Sequence, residues 1–475
     1  MISLRLRVCF TWLFLSLVFS TAALAQTQIG DDLVGEFEND LFGSSVALSA
    51  DGSRMVVGAI TSSMGSGQVR VFENINGSWV QLGQNINGTG LDARLGRGVA
   101  ISADGTIIAA GADAFDDGST GTGKVLAFEL INGSWIQLGQ DLLGSENNSR
   151  SFGNEVCLSA DGLTLAVGAP GGSTGSASVY RNMGGTWVQL GNNIVGEAPG
   201  AALIGFFGNG LSLSADGLRV AIGGDGLSGA GVLRVFDFDF VADDWTQVGQ
   251  TVTGEGGDRI GTNVAISGDG STVAVSAVGN SDMGANSGAV RVYEDTGGIW
   301  TQIGGDLNGT PSNQFGASLS FSNDGSILAV GAFGNGAPAT IDADGVIVPG
   351  EGPSARIFRN ENNDWVELAR ISGEVDSFFG LQSNLSSDGL TLAVGAQSFD
   401  ENGTDRGLVR VFDLEELISV LHGDVNLDGV VDFLDISPFI LVLATGEFQI
   451  EADCDGNGVV DFLDISPFIL ALSSQ

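Results

Sequence analysis

Two stretches near the C-terminus hold side chains whose types and spacing could do chemistry. In "GDVNLDGVVDFLDISPFILVL", Gly423 to Leu443, oxygen-bearing residues fall at Asp424, Asn426 and Asp428, then, after Gly429, at Asp432 and Asp435. In "ADCDGNGVVDFLDISPFILAL", Ala452 to Leu472, the same places are taken by Asp453, Asp455 and Asn457, then, after Gly458, by Asp461 and Asp464. The copies are 29 residues apart, and thirteen residues, Gly429 to Leu441, return unchanged as Gly458 to Leu470. Oxygen ligands at positions 1, 3, 5, 9 and 12, a glycine at 6 for the sharp turn and a main-chain carbonyl at 7 let one tight loop wrap a large hard cation. Position 7 is Val430 in the first copy and Val459 in the second. The pattern predicts two bound calcium ions, one per loop.

The spacing is that of an EF-hand loop, with Asp rather than Glu at position 12 and no amphipathic helix leading into either copy. In both features residues 422–475 resemble dockerin modules, duplicated loop–helix units that join secreted proteins to cohesin domains. The resemblance implies a small α-helical module and a protein partner, cohesin-like or part of the cell envelope. Dockerins typically place small hydroxylated residues at loop positions 10 and 11 for cohesin contact, whereas this chain has Phe433-Leu434 and Phe462-Leu463 there. Ser437-Pro438 and Ser466-Pro467 suit an N-cap with proline in the first turn of each exit helix.

Elsewhere, catalytic residue types are sparse. The only histidine is His422, which excludes His-based triads and His-rich metal sites. A carboxylate pair could hydrolyse a glycosidic bond. Among 57 acidic residues no pair stands out by position, so no catalytic residue is assigned. Cys157 stands where sister repeats carry Ala or Ser; it reads as a small packed residue, and no disulfide to Cys454 is expected.

The elements that must carry any site come from internal repetition. The element Phe42-Gly43…Asp51-Gly52 returns as Leu95-Gly96…Asp104-Gly105, Phe152-Gly153…Asp161-Gly162 and Phe207-Gly208…Asp216-Gly217. Three more copies follow, Ile260-Gly261…Asp269-Gly270, Phe315-Gly316…Asp324-Gly325 and Phe379-Gly380…Asp388-Gly389. The period averages about 56 residues. Each unit reads as four short strands: an alternating "SVALS", a hairpin turn at Asp-Gly, an apolar run such as "LTLAVGA", and then "GQVRVF" and "WVQLG". Six units carry that last tryptophan, at Trp79, Trp135, Trp187, Trp245, Trp300 and Trp365. Glycine, 75 of 475 residues, supplies the many turns.

Four antiparallel strands repeated seven times predict an all-β, seven-bladed β-propeller. The seventh unit ends at Leu408-Val409-Arg410-Val411-Phe412 with no tryptophan strand after it. Thr27-Gln28-Ile29-Gly30 matches Thr301-Gln302-Ile303-Gly304, so the N-terminal strand is expected to close the ring. "FGNEVCLSADGLTLAVGAP", Phe152 to Pro170, resembles the FG-GAP repeat of integrin alpha-subunit propellers and their bacterial relatives, through its Phe-Gly start and Gly168-Ala169-Pro170 end. Integrin-type repeats that bind calcium have spaced acids in the first hairpin loop; here that loop is Ser-Ala-Asp-Gly or a near variant, and no calcium is expected there. Arg70, Arg234, Arg291, Arg356 and Arg410 recur on the third strand, which predicts a structural pairing with a carboxylate or carbonyl of an adjacent strand.

Residues 1–25 read as a secretory signal: Arg5 and Arg7, an apolar core, and Ala23-Leu24-Ala25 as the cleavage site, with cutting after Ala25. The expected product is secreted or held at the cell surface, with a propeller at 26–413, a linker at 414–421 and the calcium module at 422–475. No further segment is apolar enough to span a membrane. Without the leader, 16 basic residues face 57 acidic ones, which disfavours nucleic acid and anionic lipid. Short uniform turns on one rim and long variable loops on the other suggest a binding face for a protein or carbohydrate. The expectation is a non-catalytic binding or adhesion protein. The alternative is an extracellular polysaccharide hydrolase or lyase carrying a dockerin.

Overall fold

The Ser-x-Asp-Gly turn sets the geometry of every repeat. In the first copy Ser49 Oγ donates to Asp51 Oδ1 (2.8 Å) and accepts from Arg54 N (2.9 Å), while Asp51 Oδ1 also accepts from Ser53 N (3.0 Å). Gly52 takes a φ of +65°, open to glycine at little cost. The Ser-to-Asp bond recurs at Ser102–Asp104, Ser159–Asp161, Ser214–Asp216, Ser267–Asp269, Ser322–Asp324 and Ser386–Asp388. Burial alone would raise the carboxyl groups of Asp51, Asp104, Asp269 and Asp324, but these hydrogen bonds outweigh it and hold them below their ordinary range. These aspartates shape turns, and in each of them Oδ1 is already engaged.

A computed structural model of the chain describes residues 27–418 apart from 91–92, 117–121, 145–150, 172–173, 197–207, 227–228, 335–339, 342–346, 349–351 and 401–403. It forms a seven-bladed β-propeller. From the axis outward, blade 1 consists of Phe42–Leu48, Arg54–Ala59, Gln68–Ile75 and Ser78–Gln81. Second strands such as Thr164–Ala169 and Thr391–Ala396 are buried at every position, as expected for the middle of a blade covered on both faces. In blade 6 the insertion after the second strand contains a small hairpin, Thr340–Ile341 with Ile347–Val348.

Seven main-chain hydrogen bonds close a ring at the Ser-x-Asp-Gly end. Ala50 N donates to Ala103 O, Ala103 N to Ala160 O, Ala160 N to Ala215 O, Ala215 N to Gly268 O, Gly268 N to Asn323 O and Asn323 N to Ser387 O, at 2.7–2.9 Å. The return link, Asp388 N to Ala50 O, slips by one residue and lengthens to 3.3 Å. This ring explains why the turns are so alike: each must present one N–H and one C=O to its neighbours.

The seventh blade is built from both ends of the described chain. Its first three strands are Gln382–Leu385, Thr391–Ala396 and Leu408–Asp413. Thr27 and Gln28 then pair antiparallel with Asp413 and Phe412, and Leu33 and Val34 with Val409 and Leu408. Arg410 grips Asp32 with two hydrogen bonds, Nε to Oδ1 (3.0 Å) and a terminal nitrogen to Oδ2 (2.9 Å). The third-strand arginines pair as expected at four sites. Besides Arg410, Arg70 reaches Glu36, Arg291 bonds Asp258 and Asp306, and Arg356 bonds Glu367 and the Asn308 carbonyl. Two of them also stack on the aromatic that opens their own repeat, Arg70 over Phe42 (4.2 Å) and Arg356 over Phe315 (4.5 Å).

The tryptophans lock one blade to the preceding one. Trp135 Nε1 donates to Leu82 O, Trp187 to Leu138 O, Trp245 to Leu190 O and Trp300 to Val248 O, at 2.8–3.0 Å. Trp79 donates to Ile29 O (3.1 Å), so the N-terminal strand also supplies the surface on which blade 1 docks. The main chain of three of these tryptophans is held from both sides by a glutamine of the preceding blade: Gln84 on Trp135, Gln140 on Trp187 and Gln250 on Trp300.

Candidate functional site

The innermost strands wall a central cavity of about 280 Å³. Counting the residue before the invariant glycine as position 1, positions 5 to 7 of every repeat line it, joined by position 4 in blades 3 to 7. These positions belong to an inner strand edge, where side chains of one blade meet the main chain of the next. Three tiers of polar contacts follow from this placement.

At position 3 an amide ladder runs along the mouth: Arg97 Nε donates to Asn154 Oδ1 (3.3 Å), Asn154 Nδ2 to Asn209 Oδ1 (3.4 Å) and Asn209 Nδ2 to Thr262 O (3.4 Å). This end faces the rim that carries the loops between second and third strands. At position 4, Ser45 Oγ donates to Gly96 O (2.6 Å), Asn263 Nδ2 to Gly316 O (3.0 Å) and Ser318 Oγ to Gly380 O (3.0 Å). At position 6, Cys157 Sγ donates to Leu211 O (3.2 Å), while Ser212, Ser320 and Asn384 accept from the main-chain N–H groups of Ile266, Leu385 and Leu48 (2.8–3.1 Å). Cys157 is thus a half-buried channel-wall residue that also joins two blades. Burial and the nearby Glu155 push its thiol well above the ordinary range, so it stands as a neutral S–H donor.

Glu155, at position 4 of blade 3, is the carboxylate among the residues lining the cavity. Burial pushes its carboxyl up to about 7, with Arg97 pulling weakly the other way. No side-chain or main-chain donor among the described residues reaches it. Its flanking equivalents in blades 2 and 4 are Gly98 and Gly210. Glu155 was not singled out from the sequence. The signal is visible only when position 4 is read as a column: Ser45, Gly98, Glu155, Gly210, Asn263, Ser318, Gln382.

The twelve expected calcium ligands, Asp424, Asn426, Asp428, Val430, Asp432, Asp435, Asp453, Asp455, Asn457, Val459, Asp461 and Asp464, lie outside the described residues. So do the leader and its cleavage site. Of the linker, a short helix at Glu415–Ile418 is described, with Leu414 and Leu417 buried against the propeller. No helix among the described residues is long and apolar enough to cross a membrane.

No family model and no curated protein sequence matches the chain. Among solved structures it is similar to Kuenenia stuttgartiensis hydrazine synthase, at 14% identity and a TM-score of 0.49, over 78% of this chain and 94% of that one. It is also similar to the Dos1 propeller, at 14% identity and a TM-score of 0.46, over 78% of each chain. Both likenesses concern the fold and carry nothing about activity.

Proposed function

We propose that the protein is a secreted, non-catalytic binding protein. Its propeller presents the loop-bearing rim to a protein or carbohydrate ligand, and its FG-GAP-like repeats act as scaffold. A dockerin-like tail, ordered by two calcium ions, attaches it to a cohesin-like or cell-envelope partner. The observation that carries this reading is the contrast between rims. One is a ring of seven near-identical turns, each with its aspartate Oδ1 turned inward to its own serine. The other carries loops of every length, on a scaffold rigid enough to hold them. The donor set of the tail, hard oxygens at alternate positions in two copies, is the chemistry that calcium takes.

The hydrolase alternative gains no support from the channel, because both inverting and retaining mechanisms use two facing carboxyl groups. Among the described lining residues there is one, Glu155.

Calorimetric titration of the full chain with calcium is expected to show two sites, and the pair Asp424→Ala with Asp453→Ala to abolish both. Immobilised full chain is expected to retain a defined envelope or secreted partner in calcium and to release it to a chelator; the doubly substituted chain should retain none. Calcium binding without any calcium-dependent partner would sink the attachment role. Absence of calcium binding would sink the module itself.

A further inference from the structure

Cutting after Ala25 makes Gln26 the first residue of the exported chain. A glutamine at a free N-terminus has a chemistry of its own. Its α-amino group is partly uncharged, and so nucleophilic, near neutral pH. Its side chain ends in an amide carbonyl that the amine can reach by closing a five-membered ring. Gln26 itself lies outside the described residues. The residues directly behind it fix what is at stake.

Thr27 and Gln28 pair with Asp413 and Phe412, Ile29 N donates to Val411 O (2.7 Å), and Trp79 Nε1 donates to Ile29 O (3.1 Å). Gln28 Nε2 also donates to Asp32 Oδ1 (2.8 Å), on the carboxylate that Arg410 grips. The clasp of the propeller therefore begins one residue behind the cut. The ladder ends at Thr27, because the strand opposite it ends at Asp413. Leu414, the next residue there, donates its N–H to Leu390 O (2.8 Å) and accepts from Ile418 N (2.9 Å), so both of its main-chain groups are spent. Thr27 is exposed as well. Chain ends of this kind are where proteolysis starts. An aminopeptidase that removed Gln26 to Ile29 would take both first rungs and the anchor of Trp79 with them.

We propose that Gln26 cyclises to pyroglutamate and that this lactam caps the closing strand against aminopeptidases. The α-amine nitrogen attacks Cδ of its own side chain. A bond forms between them, the bond from Cδ to the side-chain nitrogen breaks, and that nitrogen leaves as ammonia with the proton the amine gives up. No oxidant, reductant or co-substrate is consumed. The product has a neutral lactam N–H where the chain had an ammonium, so the terminal charge that an aminopeptidase engages is gone. The cap rests on the cut after Ala25, and it is independent of the ligand rim and of the calcium tail.

The test uses the full chain exported by its own leader, held at 37 °C and neutral pH for two weeks, with its N-terminal peptide read by tandem mass spectrometry. That peptide is expected to begin at residue 26 and to be lighter than the encoded one by one ammonia. The chain and its Gln26→Ala variant are then exposed to an aminopeptidase while N-terminus and Tm are followed. The variant's own N-terminal peptide checks that it is cut at the same place, and its starting Tm, expected to equal that of the unaltered chain, checks its fold. The unaltered chain is expected to stay intact, whereas Gln26→Ala should lose residues through Ile29 at least tenfold faster, its Tm falling as it does. Removing the lactam from the unaltered chain with pyroglutamyl peptidase should bring it to the variant's rate. A peptide that begins at residue 26 with its glutamine unchanged overturns the lactam and leaves the cut after Ala25 standing. One that begins elsewhere overturns both. Equal trimming of the two chains overturns the protective role.

Discussion

Six of the seven blade junctions are fastened by tryptophan, and the junction between blades 6 and 7 is not. At the six, the indole lies against a glycine of the preceding blade: Gly30, Gly83, Gly139, Gly191, Gly249 or Gly304, each with φ between +67° and +77° or, at Gly139, +78°. Trp365 packs on Gly304 like the others, though its indole N–H has no partner among the described residues. Blade 7 takes its outer strand from Thr27–Gln28, and the sequence has Gln26 where the other blades have their tryptophan. Blade 6 answers with Ala369 in place of the glycine, and its outer strand is covered by Leu414 and Leu417 from the chain that leaves the propeller. The glycine is thus a requirement of the indole it faces and not of the strand that carries it. The exit segment serves as the seventh clasp.

The strongest way to break this comparison is to remove one clasp. Trp187 is 3% exposed, and Trp187→Ala is expected to cost about 3–5 kcal/mol through lost burial and a residual cavity. Urea unfolding measures it. A cost below about 1 kcal/mol would mean that the inner ring of main-chain bonds holds the junction and the indole is ornamental.

At the odd junction the matching change is Leu414→Ala. Leu414 is fully buried in the cluster that includes Ala369, Ile371 and Phe412, and a loss of about 2–4 kcal/mol is expected. The same measurement applies. If the loss were negligible, residues beyond Asp413 would be mere linker, and the propeller would tolerate an uncovered edge there.

How much of this was legible beforehand depends on what each residue does to the repeat pattern. The seven Asp-Gly marks, the apolar residue and glycine that open each repeat, the six tryptophans and the orphaned Thr27-Gln28-Ile29-Gly30 are departures from randomness at fixed spacing, so they gave the blade count and the closure. The channel was opaque for the opposite reason. Positions 3, 4 and 6 vary between blades, and exchanging Ser for Glu or Gly at one of them leaves the strand pattern intact. Their meaning lies in contacts between residues about 50 apart, such as Ser45 with Gly96. Ala369 was hidden similarly: a glycine missing from one copy looks like drift until the indole missing from the next is noticed.

An exchange of small residues sharpens the point. Gly139→Ala forces a Cβ to 2.7 Å from Trp187 Cδ1 at a φ of +78°, and about 1–3 kcal/mol of destabilisation is expected. Ala369→Gly, the reverse change at the junction without tryptophan, should cost only about 0.5–1 kcal/mol of backbone entropy. Thermal unfolding of the two variants side by side decides it. Equal costs would mean that glycine serves the strand bend at every junction alike, and that Ala369 is incidental.

The smallest effect belongs to the polar fastening of the closing strand. Burial would raise the Asp32 carboxyl, but the hydrogen bonds from Arg410 and Gln28 and the Arg410 charge outweigh it and leave the group below its ordinary range. A carboxyl lowered in the folded state binds fewer protons there than in the unfolded chain. Its contribution is therefore fully present above the ordinary carboxylate range and is lost as pH falls through the lowered value, below about pH 4. With Asp32 partly open to solvent, that contribution is about 1 kcal/mol or less. Asp32→Asn should melt earlier than the unaltered chain at pH 7, and the gap should narrow as pH approaches 3. Leu414→Ala, which removes no charge, should keep its gap over the same range. If the Asp32→Asn gap also persisted unchanged at low pH, the closing strand would be held by its ladder and by Trp79 on Ile29, with the ion pair contributing only registration.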